Sequence, residues 1–242
     1  MQAKSIRDLQ ADARYSLLGH LGISVGIILF YLAVFMFLSS LNTSGLTENI
    51  LLSTLLTILL NYLVSVMTGI VEFGVSYVFL HLQLDQPIRI QEIFLPVREN
   101  ADKAVRIKGY LCFLYLLASL PSLIMSAVMI GREGLSYWLP VGAALAIGYL
   151  ARLFVTMVYG VIDYLFVDFP DSDAAHLLRA SRRMMQGHRL RFLLLHLSFL
   201  PLHLLGLLSL GLANAWVSAY ENAAVAAFYI DLLRLRTRPD EG

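Results

Sequence analysis

An all-α, polytopic membrane fold is what this sequence predicts, on three observations. Of 242 residues, 58% are hydrophobic and only 14% are charged, against about 25% charged residues in an ordinary soluble domain. The apolar residues come in runs of the length a helix needs to cross a bilayer, about 20 residues at roughly 1.5 Å each. The Lys and Arg residues fall almost entirely between alternate runs. Such a composition excludes a water-soluble enzyme and a disordered chain, because either would leave too much apolar surface in water. The 18 basic and 17 acidic residues nearly cancel, so the net charge gives no reason to expect a nucleic-acid partner.

Taken in order, six spans are predicted within one domain of residues 1–242. The first, at 21–41, lies in a stretch from 15 to 47 that holds no Asp, Glu, Lys or Arg. It reads as a retained span and not a cleaved signal peptide, being too long for a signal core and lacking a small-x-small cleavage site. The second, at 50–82, is interrupted by Glu72, and the third, at 109–130, has no charge. The fourth, at 137–166, carries Arg152 and Asp163. The fifth, at 192–210, contains His196 and His203, and the sixth, at 213–233, contains Glu221 and Asp231. Spans two and four exceed the bilayer thickness and should tilt or extend beyond it. The short link at 211–213 makes the last two spans a tight antiparallel hairpin. Cys112 lies inside the third span as the single cysteine, which leaves an inert thiol and no intrachain disulfide.

Orientation follows from the basic residues of the short loops. One side collects Lys4, Arg7 and Arg14, then Arg89, Arg98, Lys103, Arg106 and Lys108. The same side collects Arg179, Arg182, Arg183, Arg189 and Arg191, and finally Arg234, Arg236 and Arg238. The other side has only Arg132, while Arg152 lies within a span. Both termini are therefore expected in the cytoplasm.

Three segments on that side read as amphipathic helices. Ser5 and Asp8 have capping-box spacing, with the shorter Asp in place of Glu, and Ile6, Leu9, Ala13 and Leu17 then form one apolar stripe. Ile90, Ile93, Phe94, Val97, Ala101, Ala104 and Val105 follow helical spacing, with Pro96 expected to break the segment in two. After Pro170, Asp171 or Ser172 is expected to cap a third helix that Gly187 ends. Its apolar face would be Ala174, Leu177, Leu178, Ser181 and Met185. Arg179, Arg182 and Arg183, with Arg189 beyond, suit contact with anionic head groups or with a protein partner. No aromatic stacking platform accompanies them, so nucleic acid is not expected.

Ionisable groups inside a bilayer are costly and mark candidate sites. These are Arg152, Glu221, His203, Glu72, Asp163 and His196. Arg152 falls near mid-membrane and needs an anion, for which Glu221 is the first choice by depth and Glu72 the second. Three readings stay open: a structural ion pair, a polar cavity for a lipid head group or other anionic ligand, and a proton relay through Glu221, His203 and Arg152. His196 and His203 stand seven apart on one helix, too far for the chelate made by an i, i+4 pair, and no metal or cofactor is expected. No His-Glu-x-x-His, phosphate loop or Gly-x-Ser-x-Gly occurs, so no catalytic residue is proposed. Gly69 and Gly74 read as sites of close helix packing.

One pattern points further. Asp168-Phe-Pro170 is followed by Ala180-Ser-Arg-Arg-Met-Met-Gln-Gly187-His-Arg-Leu-Arg-Phe192 and Leu195-His-Leu-Ser-Phe199. Gly206, Gly211, Tyr220 and Ala227-Phe-Tyr229 come after it, and the segment 7–19 contributes at the N-terminus. The chain in this respect resembles a family of bacterial integral membrane proteins catalogued only as a domain of unknown function. It is similar, more distantly, to the membrane domain attached to some glycerophosphodiester phosphodiesterases. The resemblance implies six helices in a bacterial plasma membrane and supplies no catalytic residues. Phosphodiesterase chemistry is not inherited, since no separate catalytic domain is expected here. The leading expectation is a non-catalytic membrane component that binds lipid or a membrane partner, in support of transport or an envelope stress response. The alternative is a small transporter or lipid scramblase built on the polar centre of the bundle.

Overall fold

The apolar runs fold as long helices that pass back and forth along one bundle. The computed structural model describes residues 3–41, 49–86, 94–129, 131, 134–209 and 212–236. Its elements are α1 (Ile6–Leu17), α2 (Leu21–Ser39), α3 (Ile50–Gln83), α4 (Leu95–Glu99), α5 (Ala101–Val128), α6 (Leu135–Tyr159), α7 (Ile162–Asp168), α8 (Ala174–Met184), α9 (Arg189–Leu208) and α10 (Leu212–Arg236). Among the described residues there is no strand. Five segments are long and apolar enough to cross a membrane: Leu21–Ser39, Leu52–Gln83, Ala101–Val128, Leu135–Asp168 and Arg189–Gly206. Their outward faces carry large apolar side chains such as Phe37, Leu55, Ile124, Trp138 and Leu204.

The expected sixth span forms as a helix, α10, but is not apolar enough to stand with the other five. Its surroundings explain its composition. Ala219, Ala223, Ala224, Ala226, Ala227, Phe228 and Tyr229 are all buried, on every side of the helix. Small side chains let α1, α2, α3 and α9 approach it closely. A helix enclosed by protein has no need of a continuous apolar coat, so hydropathy understates it. One hydrophobic cluster joins its residues to those of α1, α3, α5, α7, α8 and α9.

The amphipathic helices gather at the end of the bundle where α3 and α10 finish, the basic end. α1 follows the expected stripe, with Leu9, Ala13 and Leu17 buried against the bundle. Its capping box is formed: the Ser5 hydroxyl accepts from the Asp8 N–H at 3.2 Å, and the Asp8 carboxylate accepts from the Ser5 N–H at 3.0 Å. Hydrogen bonds from the Ser5 hydroxyl and then the Ser5 N–H hold the Asp8 carboxyl below the usual carboxylate range. α8 buries Ala174, Leu177, Ser181 and Met184 in the protein, leaving Arg179, Arg182 and Arg183 exposed.

Four local expectations change. The cap of α8 is Asp173, not Asp171 or Ser172; its carboxylate accepts from the Ala175 N–H at 3.3 Å. Pro96 lies in the first turn of α4, where a missing N–H costs nothing, and the described break falls at Asn100. Ile90 and Ile93 lie outside the described residues. The inward face of α5 is Ala104, Ile107, Lys108 and Leu111, while Ala101 and Val105 face outward. The fourth span is not one continuous helix: α6 stops at Tyr159 and α7 restarts at Ile162. Gly160 sits flat against the Phe192 ring, where a Cβ would come within 2.4 Å of it.

Candidate functional site

The helices enclose a half-open cavity of about 610 Å3 that α2, α3, α5, α6, α7, α9 and α10 all line. Glu72, Lys108, Asp163, His196 and Glu221 reach its wall, with Tyr31, Thr68, Tyr115, Tyr164 and Asn222 among the other polar groups there. The α6–α7 break lines it too, through Gly160 and Ile162. Interrupted backbone within an apolar span is tolerated where it borders a polar cavity and not lipid. The interruption puts Asp163 in the first turn of α7, facing α3 and α5.

Two ionisable clusters occupy the wall. In the first, the Lys108 ammonium lies 2.8 Å from Glu72 Oε2 and 2.7 Å from Asp163 Oδ1. It also sits over the Phe73 ring, 4.6 Å from the centroid. Tyr31 donates its hydroxyl to Glu72 Oε1 at 2.9 Å. The Lys108 stem passes over Gly69, where a Cβ would come within 2.9 Å of Lys108 Cδ. Gly69 therefore serves close approach as its sequence context suggests, and what approaches is a side chain. Removing Lys108 would leave two carboxylates uncompensated in a place where charge is poorly solvated.

The second cluster joins α9 to α10. Glu221 Oε2 is 2.7 Å from His203 Nε2, and Glu221 Oε1 is 3.8 Å from His196 Nε2. His196 Nδ1 lies 3.0 Å from the Phe192 carbonyl, one turn back on its own helix. His203 stands behind Glu221, while Glu221 and His196 border the cavity.

Of the residues picked out by sequence, Glu72, Asp163, His196 and Glu221 converge on one cavity, and His203 joins through Glu221. Arg152 does not. It is exposed on α6 and forms no ion pair with a described residue, so the pairing expected with Glu221 or Glu72 is replaced by histidines for one and Lys108 for the other. Lys108 is the residue that sequence reading missed, counted among loop charges beside Arg106. A signal for it existed, since Ala104, Lys108 and Leu111 share the 4, 7 spacing of one face, and that face turns inward. Arg189 rests against Phe154, its guanidinium carbon 5.5 Å from the ring centroid. Among the described residues no group of three or more His, Cys, Asp and Glu is placed to hold a metal ion.

The sequence pattern of a family described as a protein of unknown function, DUF975, matches residues 1–236. The chain belongs to the DUF975 family. No curated protein and no solved structure matches it. The match brings no support for the more distant likeness to phosphodiesterase membrane domains, and for this DUF975 chain the chemistry rests on the cavity.

Proposed function

We propose that the protein is a non-catalytic, six-span membrane protein of the bacterial plasma membrane whose central cavity binds and passes a small solute bearing a positive charge. Of the two expectations this is the transporter reading, and the observation that supports it best is the cavity itself. Its volume falls within the roughly 300–1,000 Å3 of small-molecule sites. Three carboxylates, Glu72, Asp163 and Glu221, face it against the single ammonium of Lys108. The balance favours a cation over the anionic ligand that a central Arg152 would have called for. α10 would be the sixth span, held within protein, with both termini on the cytoplasmic side where α1 and α8 lie.

The test uses two probes, tetramethylammonium and methylammonium, on protein reconstituted in lipid nanodiscs. A probe at a hundred times its dissociation constant adds about 2.7 kcal/mol to stability. Wild type should gain stability with at least one probe, and Glu221→Gln should lose that gain at unchanged folded yield. No gain with either probe contradicts the reading.

A lipid contact has its own support in α8, whose apolar face is buried in protein while Arg179, Arg182 and Arg183 point outward. Each basic residue near an anionic leaflet adds about 1 kcal/mol. Replacing all three by Gln should strip bound phosphatidylglycerol seen by native mass spectrometry, with the cavity probes unaffected.

A further inference from the structure

The second cluster contains an arrangement that neutral side chains leave incomplete. The Phe192 carbonyl can only accept, so His196 Nδ1, 3.0 Å away, carries a hydrogen. In the neutral ring His196 Nε2 then holds a lone pair, and it faces the carboxylate oxygen Glu221 Oε1 across 3.8 Å. Two acceptors confront each other at the cavity wall. The other oxygen of Glu221 is taken by His203 Nε2 at 2.7 Å, where one hydrogen lies between them.

We infer that His196 and Glu221 form a proton-binding site on the cavity wall, oriented by His203, and that a proton and the solute cation compete for it. The competition rests on the solute reading above; the proton site does not. A hydronium in the cavity gives up one O–H bond as an N–H bond forms at His196 Nε2. The cluster then passes from a net charge of −1 to neutral, and the facing acceptors become a charge-assisted hydrogen bond.

The other charged groups around it are already engaged. Lys108 on α5 pairs with both Glu72 on α3 and Asp163 on α7. Arg191 on α9 pairs with Asp231 on α10 at 2.5 Å, and on α1 Lys4 pairs with Asp12 at 2.6 Å. Tyr31 of α2, Tyr159 of α6 and Tyr164 of α7 are the remaining titratable side chains of the wall beyond α5, where Cys112 and Tyr115 lie. Glu221 faces the cavity with imidazoles beside it and no ammonium or guanidinium paired to it among the described residues.

Nitrogen-15 NMR of histidine-labelled protein in nanodiscs, without solute, tests the site directly. At high pH His196 should show a hydrogen on Nδ1 and none on Nε2, becoming imidazolium as pH falls. Glu221→Gln removes the facing charge and should lower the His196 midpoint by about 1–3 pH units. His203→Ala removes the donor that draws charge from Glu221 and should raise it, so one fold-competent variant suffices. A midpoint unchanged in Glu221→Gln, or unchanged or lowered in His203→Ala, overturns the proton site. So does a neutral His196 with its hydrogen on Nε2. Tetramethylammonium should then lower the wild-type midpoint; a midpoint indifferent to it, with both variants behaving as stated, overturns the competition and leaves the proton site standing.

Discussion

The two ionisable clusters of the cavity are built from similar parts and end in opposite conditions. Around Lys108 one cation meets two carboxylates, a ring face and a phenol donor, so each carboxylate has a fixed cationic partner although the trio keeps one net negative charge. Around Glu221 one carboxylate meets two imidazoles, one hydrogen-bonded at 2.7 Å and the other facing it across 3.8 Å. A cation shared between carboxylates of neighbouring helices holds them in register, and removing it is expensive. A carboxylate without a fixed cation has room for one that arrives and leaves. On the proposed reading the same cavity divides between a fixed element and an exchangeable one.

The largest expected effect breaks the fixed element. Lys108→Met should lose about 3–5 kcal/mol of stability, read by unfolding in mixed micelles. Adding Glu72→Gln and Asp163→Asn to that variant should recover much of it, because the stranded carboxylates are then gone. A Lys108→Met protein as stable as wild type would erase the contrast between the clusters. Next comes Gly69→Ala, whose Cβ would push on Lys108 Cδ from 2.9 Å and should cost about 1–3 kcal/mol by overpacking.

Smaller effects sharpen the comparison from outside the cavity. Ser5→Ala should cost about 1 kcal/mol through loss of the α1 cap. The folded state holds the Asp8 carboxyl below its usual range, so the cap's contribution is present at neutral pH and declines as pH falls through the folded value. Ser5→Ala should flatten that acid-side slope in a stability profile. Arg152→Gln, on an exposed residue without an ion-pair partner among the described residues, should leave both stability and probe binding within about 0.5 kcal/mol of wild type.

Much of the frame was legible in the sequence, for a physical reason that also marks its limit. Runs such as 21–41 and 109–130 read well because helices with outward faces need apolar side chains along their length. α10 reads badly by the same measure, because its neighbours are protein and its Ala-rich sides answer to packing instead. The ionisable positions Glu72, Asp163, His196 and Glu221 were legible as costly residues. Their partners were not, since pairing depends on rotation and helix breaks that residue counts do not carry. Arg152 and Lys108 exchange roles for that reason: a turn of α6 sends one outward, and the inward stripe of α5 draws the other in. The interruption at Gly160 that brings Asp163 to Lys108 lies against a remote ring, Phe192, which no local pattern announces.

On the proposed reading Glu221 serves the ligand and Glu72 serves the fold. This is tested most directly by measuring the unfolding midpoints of Glu221→Gln and Glu72→Gln in nanodiscs, with and without tetramethylammonium. Glu221→Gln should unfold near the wild-type midpoint and gain nothing from the probe, whereas Glu72→Gln should unfold earlier and still gain from it. The reverse result, a destabilised Glu221→Gln that responds to the probe beside a stable, unresponsive Glu72→Gln, would contradict it.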